Sequence, residues 1–398
     1  MKLLYLIGDG MGGWPLEELG GKTTMEAAHT PNMDELARTG LVGRAQTVPE
    51  GMQPGSDVAN MSLLGFDPAT YHTGRGPIEA AAQGLDLEPD DLVWRLNLVT
   101  VSKLTIDGFM RDYSSGHIAT DVSRPLVEAL QEKLGNDMYT FYPGIQYRHL
   151  LVQKEGALSD DAKLAINPPH DITDKPIKLD LRTISKSPFL WDLLFEAQEL
   201  LEDRTVNNSR ANSIWPWGQG RPLSLPNFKE TFGVEGAVIS AVDLIKGLGH
   251  ASGMEVIDVE GATGLLDTNY QGKVNAALTF LKEHDFVFVH LEGPDECGHG
   301  GNAEEKVEAI NRFDAQVVGP LREALKEEDT AWIVTCDHFT PIVERTHTMD
   351  AVPFLLNGPN CEPSDVSEFS EKSADSTGLK LDKGHELLAF ALEKFGMK

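Results

Sequence analysis

Three short runs of apolar residues stand out along the chain: residues 3–7, 286–291 and 331–335. Each is long enough for a buried β-strand and too short for an ordinary buried helix. Strands that are apolar on both faces are typical of a parallel sheet that helices cover on both sides. We therefore expect an α/β fold built on a doubly wound sheet, with helices between these strands.

Two helices are predicted from the residues that begin them. Thr30 followed by Pro31 is typical of an N-cap and a first helical position, and apolar residues follow at helical spacing. Asn302 with Glu305 is typical of a capping box, and the apolar spacing after it continues to Leu321. Both helices lie next to a predicted strand, as the α/β pattern requires.

The region between the first apolar run and the other two has a different pattern. Strand-like runs at 96–101 and 147–153 lie on either side of one clear amphipathic helix at 124–134. This mixture predicts an α+β domain. Because strands of the large sheet precede and follow it, we expect this smaller domain to be inserted into the sheet domain.

The predicted limits follow from these changes of pattern. The sheet domain is expected to comprise residues 1–75 and 209–398, and the insert, a hinged lid, residues 76–208. A chain of 398 residues is long enough for two such units. The segment 363–380, rich in Ser, Asp and Glu, is predicted to be a solvated surface loop.

Charge and composition narrow the classes of partner. Lys and Arg total 34 against 62 Asp and Glu, a net charge of -28, which repels nucleic acids and anionic membrane surfaces. No apolar run approaches the ~20 residues that span a bilayer, and the N-terminus does not resemble a signal peptide. Cys297, Cys336 and Cys361 lack the spacing of a disulfide framework or a thiolate zinc site. These features predict a cytoplasmic protein.

Carboxylates and histidines follow the three apolar runs. In open α/β sheets, the residues after parallel strands meet at one edge, where ligands bind. Asp and neutral His are ligands of borderline divalent cations, and six such groups are enough for two ions. Any one of them alone is equally compatible with a helix cap or a surface histidine. The six are Asp9, Asp295, His299, Asp337, His338 and His347.

Ser56 lies in the stretch PGSDVAN and is a candidate nucleophile. A hydroxyl attacks well only when a neighbouring base or a metal ion activates it. The GxSxG context of the α/β hydrolases is absent, so metal activation is the better functional interpretation. An ordinary turn or N-cap serine is the structural alternative, and the sequence pattern leaves both open.

The chain also carries, in order, GDGMGGWP, HTPNMDELA, PEGMQPGSDVANMSLLGFDP, HTGRGPIEAAAQG, NSIWPWGQG, HLEGPDECGHGGN, DHFTP and RTHTMDAVPF. Together these motifs resemble the archaeal-type, 2,3-bisphosphoglycerate-independent phosphoglycerate mutases over nearly the whole chain. The resemblance implies an alkaline-phosphatase-like sheet domain that holds two divalent ions. Mn²⁺ is the expected ion, with Zn²⁺, Co²⁺ and Mg²⁺ as alternatives.

The resemblance implies a role for particular residues. One ion would be bound by Asp9, Ser56, Asp337 and His338, and the other by Asp295, His299 and His347. Ser56 would be phosphorylated transiently. The remaining roles are phosphoryl contact for Lys273, proton transfer for His117, and substrate binding for Arg75, Arg148 and Arg210. At His117 the chain has SSGH, where the larger relatives carry VHSH.

The reaction implied is the interconversion of 3-phosphoglycerate and 2-phosphoglycerate, a step of glycolysis and gluconeogenesis. Two alternatives use the same site with another acceptor: a phosphatase, with water, or a small-molecule kinase. A kinase is considered because the resemblance extends to a bacterial branch proposed to act as homoserine kinase. A non-catalytic metal-binding module is a further alternative, which a missing ligand or nucleophile would favour; none is missing.

Overall fold

A computed structural model describes residues 1–397 of the chain. The chain forms two compact units, one of Met1–His72 with the residues from Ser224 onward, and one of Thr73–Leu223. Among the described residues, no helix combines the length and apolar character needed to cross a membrane.

The strands are β1 (Lys2–Gly8), β2 (Leu41–Ala45), β3 (Leu92–Val101), β4 (Met110–Asp112), β5 (Tyr139–Tyr142), β6 (Arg148–Gln153), β7 (Ser213–Gly220), β8 (Gly236–Ile239), β9 (Glu255–Val256), β10 (Phe286–Leu291), β11 (Thr330–Thr335), β12 (Val352–Asn357) and β13 (Lys380–Leu381).

The α-helices are α1 (Thr24–Ala27), α2 (Pro31–Arg38), α3 (Ser56–Leu63), α4 (Pro68–Tyr71), α5 (Arg75–Ala82), α6 (Thr120–Leu134), α7 (Lys178–Ile184), α8 (Pro188–Glu202), α9 (Phe228–Phe232), α10 (Asp243–Ala251), α11 (Tyr270–Phe280), α12 (Gly293–Gly300), α13 (Ala303–Phe313), α14 (Gly319–Ala324), α15 (Glu371–Ser376) and α16 (Leu387–Phe395). A π-helical turn, Asp314–Val318, joins α13 to α14.

The first unit contains one eight-stranded sheet in the order β13-β2-β12-β11-β1-β10-β8-β9. Its centre is formed by β11, β1 and β10, which run parallel to one another. These strands contain the three apolar runs, and almost all of their residues are buried. The predicted strands are therefore confirmed, and their carboxyl ends meet at one edge of the sheet. The sheet is mixed, because β12 runs antiparallel to β11 and β2.

The second unit is the predicted α+β insert, and the expected fold class is confirmed. Its five strands pair antiparallel, with β3 bonded to β4, β6 and β7. Side chains of β3, α6 and α8 form a separate apolar core. The unit ends at Leu223 and not at the expected 208, because β7 pairs with β3 over most of its length.

The helix α2 begins where the Thr30–Pro31 pair predicts, but a different residue caps it. Thr30 makes no side-chain capping bond. The carboxylate of Asp314 in the π turn accepts the backbone N–H groups of Asn32 at 3.2 Å and Met33 at 2.7 Å. A distant acid therefore satisfies the free donors of the first turn, which a local pattern cannot reveal.

We expect Asp314→Ala to lower the free energy of unfolding by about 1–2 kcal/mol, the usual cost of a lost N-cap. Urea unfolding followed by circular dichroism measures the change. Thr30→Val is the matched control, and we expect it to cost less stability than Asp314→Ala, because this hydroxyl caps no backbone N–H and makes one long hydrogen bond, to Asp34 Oδ1 at 3.4 Å. Equal losses in the two variants would contradict the assignment of the cap to Asp314.

At α13, Asn302 occupies the predicted N-cap position and accepts the backbone N–H of Glu305 at 3.1 Å. The reciprocal bond of a capping box is not formed, since the backbone N–H of Asn302 donates to the Cys297 carbonyl. The helix prediction holds because one capping bond is sufficient to begin the helix.

The prediction of a solvated loop at 363–380 is wrong in part, since α15 and the start of β13 lie there. Glu371 is 5% exposed, and its carboxylate accepts the backbone N–H of Gly13 at 2.9 Å and the Thr23 hydroxyl at 2.7 Å. Burial raises the pKa of Glu371. The segment thus helps to hold the loop after β1, which carries the GDG motif.

Candidate metal centre

The loops after β1 and β11 bring Asp9 and Asp337 together. Both carboxylates are fully buried, and the Gly10 backbone N–H donates to Asp337 Oδ1 at 3.0 Å. Gly10 has a φ of 59°, and a Cβ at this position would lie 2.6 Å from Asp295 Oδ1. Only glycine fits here, because the backbone must pass between carboxylates that come from separate strands.

Ser56 is the first residue of α3, and its Oγ lies 3.1 Å from His338 Nε2. The free N–H groups and dipole of a helix N-terminus favour negative charge at this position. Asn60, one turn further along α3, donates from Nδ2 to the Ser56 carbonyl at 2.9 Å and to Asp337 Oδ2 at 2.8 Å. Asn60 therefore links the helix of the predicted nucleophile to a predicted metal ligand.

Asp295, His299 and His347 form the second predicted group. The helix α12 places Asp295 and His299 four residues apart on one face, with Nε2 3.2 Å from Oδ2. His347 Nε2 lies 3.4 Å from Asp295 Oδ1 and 2.9 Å from His299 Nε2. Thr340 Oγ donates to Asp295 Oδ1 at 2.5 Å and so orients the carboxylate.

His338 joins the two groups into one centre. Its Nε2 lies 3.3 Å from Asp337 Oδ2 and 3.6 Å from Asp9 Oδ1. Its ring stacks on the ring of His347, with 3.9 Å between centroids, and it lies within ligand distance of Asp295 and His347. The structure thus brings together all seven side chains that the sequence analysis assigned to metal binding.

The charges of this centre favour cations. Burial raises the pKa of Asp9, and the nearby carboxylates of Asp337 and Asp295 raise it further. Burial also acts to raise the pKa of Asp295, but hydrogen bonds from His299 and His347 outweigh it and hold this pKa well below the usual range. Within the described residues, the ion-pair partners of the three carboxylates are all histidines.

Unsatisfied polar atoms provide a test of whether ions fit here. Asp9 Oδ1, Asp9 Oδ2, Asn60 Oδ1 and His290 Nε2 are buried and have no hydrogen-bond partner among the described residues. Buried polar atoms are almost always hydrogen-bonded or bound to an ion. Oxygen and imidazole donors of this kind suit borderline divalent cations, so the residues present fit the predicted ions.

Lys273 lies on α11 and is 1% exposed. Its Nζ donates to the His290 carbonyl at 2.8 Å, and burial lowers its pKa to about 8. In this arrangement the amine is bonded to the end of β10, next to the centre. Its predicted contact with a phosphoryl group stays a prediction.

In the second unit, His117 lies in a turn of unusual backbone geometry. Ser115, Gly116 and His117 have φ values of 53°, 78° and 51°. The Asp112 carboxylate holds this turn by accepting the backbone N–H groups of Ser114 at 2.8 Å and Gly116 at 2.7 Å. Strained backbone of this kind is often associated with functional sites.

The three predicted arginines lie in the same unit. Arg210 passes beside Gly116, and the Arg148 guanidinium lies 5.5 Å from the Tyr147 ring centroid. That ring in turn meets the His117 ring edge to face. Arg75 begins α5, and its buried Nε has no hydrogen-bond partner within residues 1–397.

Sequence reasoning missed three residues of the centre: Asn60, His290 and Thr340. His290 could have been found, because it is the one ionisable residue in the apolar run FVFVHL. Asn60 and Thr340 are ordinary polar residues in sequence, and only their contacts reveal a role.

Two family models match consecutive parts of this chain, and a curated relative matches nearly all of it. Residues 37–207 match a family described as 2,3-bisphosphoglycerate-independent phosphoglycerate mutase, and residues 202–359 match one described as type I phosphodiesterase / nucleotide pyrophosphatase. A probable 2,3-bisphosphoglycerate-independent phosphoglycerate mutase of Geobacter sulfurreducens is 46% identical, over 99% of this chain and 100% of that protein.

Two solved structures are similar over nearly their full length. The PH0037 protein of Pyrococcus horikoshii has a TM-score of 0.82 and 30% identity, covering 100% of this chain and 98% of that one. A cofactor-independent phosphoglycerate mutase of Thermoplasma acidophilum has a TM-score of 0.65 and 26% identity, covering 100% of both chains.

Proposed function

Because this chain belongs to the 2,3-bisphosphoglycerate-independent phosphoglycerate mutases, we propose that it interconverts 3-phosphoglycerate and 2-phosphoglycerate through a phosphorylated Ser56. Membership of the family implies divalent metal ions and a small phosphorylated substrate. The observation that supports the proposal most is the position of Ser56 Oγ, at a helix N-terminus and 3.1 Å from His338 in the centre.

We propose that the centre holds two divalent ions, preferably Mn²⁺. We also propose that the protein acts in the cytoplasm. Asp9, Ser56, Asp337 and His338 would hold one ion, and Asp295, His299 and His347 the other. When bound, the ions would lower the pKa of the Ser56 hydroxyl and offset negative charge on the phosphoryl group. Three carboxylates and one serine alkoxide balance two divalent cations, so an anionic substrate can approach despite the net charge of -28.

In the first displacement, Ser56 Oγ attacks the phosphorus of 3-phosphoglycerate, and the bond from phosphorus to the glycerate 3-oxygen breaks. Glycerate leaves as an alkoxide, and its 3-oxygen takes a proton from His117, the proposed acid, which regains one in the second displacement. The N-terminus of α3 stabilises the negative charge of the resulting phosphoserine. Lys273 would add a positive charge to this stabilisation.

In the second displacement, the 2-hydroxyl of glycerate loses a proton and takes the phosphoryl group back from Ser56. We propose His117 for this proton transfer, since a histidine exchanges protons near neutral pH. Arg75, Arg148 and Arg210 are proposed to hold the carboxylate of glycerate between the two steps. Retention of glycerate separates a mutase from a phosphatase.

The test is to incubate the Mn²⁺-loaded protein with 3-phosphoglycerate, without 2,3-bisphosphoglycerate, and to follow phosphorus NMR. We expect 2-phosphoglycerate to appear up to its equilibrium share, with no build-up of inorganic phosphate. Inorganic phosphate as the main product would indicate a phosphatase. Unchanged 3-phosphoglycerate, with ATP consumed only when homoserine is added, would indicate a kinase.

A further inference from the structure

His290 interrupts the apolar strand β10 with a fully buried imidazole that the proposed reaction does not use. Its Nε2 lies 2.9 Å from Asp9 Oδ2. Although this distance suits a hydrogen bond, the direction does not, and both atoms lack a hydrogen-bond partner among the described residues. Two buried atoms with free lone pairs at this separation repel each other unless a positively charged group binds both of them.

The distance is the one expected of two ligands of the same ion. Ligand atoms that each lie about 2.1 Å from a cation are about 3 Å apart when their bonds form a right angle. One ligand atom each of Asp9, His290 and Asp337 also lie within 4.8 Å of one another. The three side chains therefore surround one point.

The other ring nitrogen of His290, Nδ1, is placed to donate a hydrogen bond, as the second ring nitrogen of a metal-binding histidine usually does. His290 Nδ1 lies 3.2 Å from Ser240 Oγ, and that oxygen also accepts the backbone N–H of Val242 at 3.0 Å. A hydroxyl oxygen has a second lone pair, which can accept the Nδ1 proton. This leaves the Nε2 lone pair directed to the Asp9 side, with a hydrogen-bonded partner behind the ring.

We propose that His290 is a direct ligand of the ion held by Asp9 and Asp337, oriented by Ser240. This inference rests on the two-ion centre of the proposed function and adds a ligand that the family resemblance does not assign. An additional imidazole would move the preference of this ion's site from Mg²⁺ toward Mn²⁺, Co²⁺ and Zn²⁺. His290 thus becomes a determinant of metal selectivity.

The first test measures metal binding without turnover. His290→Asn and His290→Gln are titrated with Co²⁺ against a chelator, and the visible Co²⁺ spectrum is recorded at one and two equivalents. We expect at least about 10-fold weaker binding of one ion, with a changed spectrum for that ion only. His250→Asn, on the exposed part of α10, is the matched control and should bind as the wild type does.

A crystal structure of the Co²⁺-loaded wild-type protein gives an answer even if both variants fail to fold. We expect an ion about 2.1 Å from His290 Nε2. An ion more than about 3 Å away, or unchanged binding and spectra in the variants, would overturn the inference. Wild-type protein that binds two ions but leaves 3-phosphoglycerate unchanged would instead contradict only the proposed function.

Discussion

Ser56→Ala is expected to reduce mutase turnover by at least about 10³-fold, because no other group can carry the phosphoryl group between the two displacements. The side chain lies at the surface of the centre, at the first position of α3, so its loss should leave the fold intact. Phosphorus NMR gives the rate. Mass spectrometry after an acid quench should show a phosphoryl adduct in the wild type and none in the variant.

Ser62→Ala is the matched control, since this serine lies on the same helix and its Oγ donates to the Thr47 carbonyl and not to a proposed metal ligand. We expect this control to keep turnover within a few-fold of the wild type while losing about 1 kcal/mol of stability. Turnover of Ser56→Ala above about 1% of the wild-type rate would mean that the nucleophile lies elsewhere.

Removal of metal ions is expected to reduce turnover about as much as Ser56→Ala does, and also to lower the stability of the folded protein. Without cations, Asp9, Asp295 and Asp337 are three buried carboxylates whose ion-pair partners among residues 1–397 are histidines alone. Repulsion among them opposes folding. A metal ion whose free concentration is about 100 times its Kd would add about 2.7 kcal/mol to the free energy of unfolding.

Dialysis against EDTA should therefore abolish turnover and lower Tm by several degrees, and Mn²⁺ should restore both. Turnover by phosphorus NMR and thermal unfolding by circular dichroism are measured on the same samples, with metal content checked by mass spectrometry. Asp295→Asn should show a smaller rise of Tm with Mn²⁺, because one carboxylate ligand is lost. Full activity in protein shown to be metal-free would disprove the two-ion centre.

Local patterns in the sequence were sufficient to predict the strands that carry the centre and the edge of the sheet where it forms. The runs 3–7, 286–291 and 331–335 are short and apolar on both faces, which is typical of central strands of a covered sheet. The polar residues after them then had to meet at one edge. The convergence of Asp9, Asp295 and Asp337 follows from that rule alone, before any motif is compared.

The insert illustrates a limit of the same reasoning. Its α+β character was evident from 96–101, 147–153 and the helix between them. Its end was not, because β7 contains two tryptophans, a proline and two glycines and lacks the alternation of a strand. Pairing with β3 makes it a strand, and such pairing depends on residues more than a hundred positions earlier.

The sequence by itself determined the class of fold and the edge at which the site forms, because strand burial is a local property, and the family resemblance supplied the seven side chains proposed for the ions. Only the tertiary structure decided which groups support them. Asn60 reaches Asp337 across 277 positions, Asp314 caps α2 across 281, and Glu371 holds the GDG loop across 358. Such hydrogen bonds depend on the distance and angle between two residues in the folded chain, and the local sequence around either residue does not reveal them.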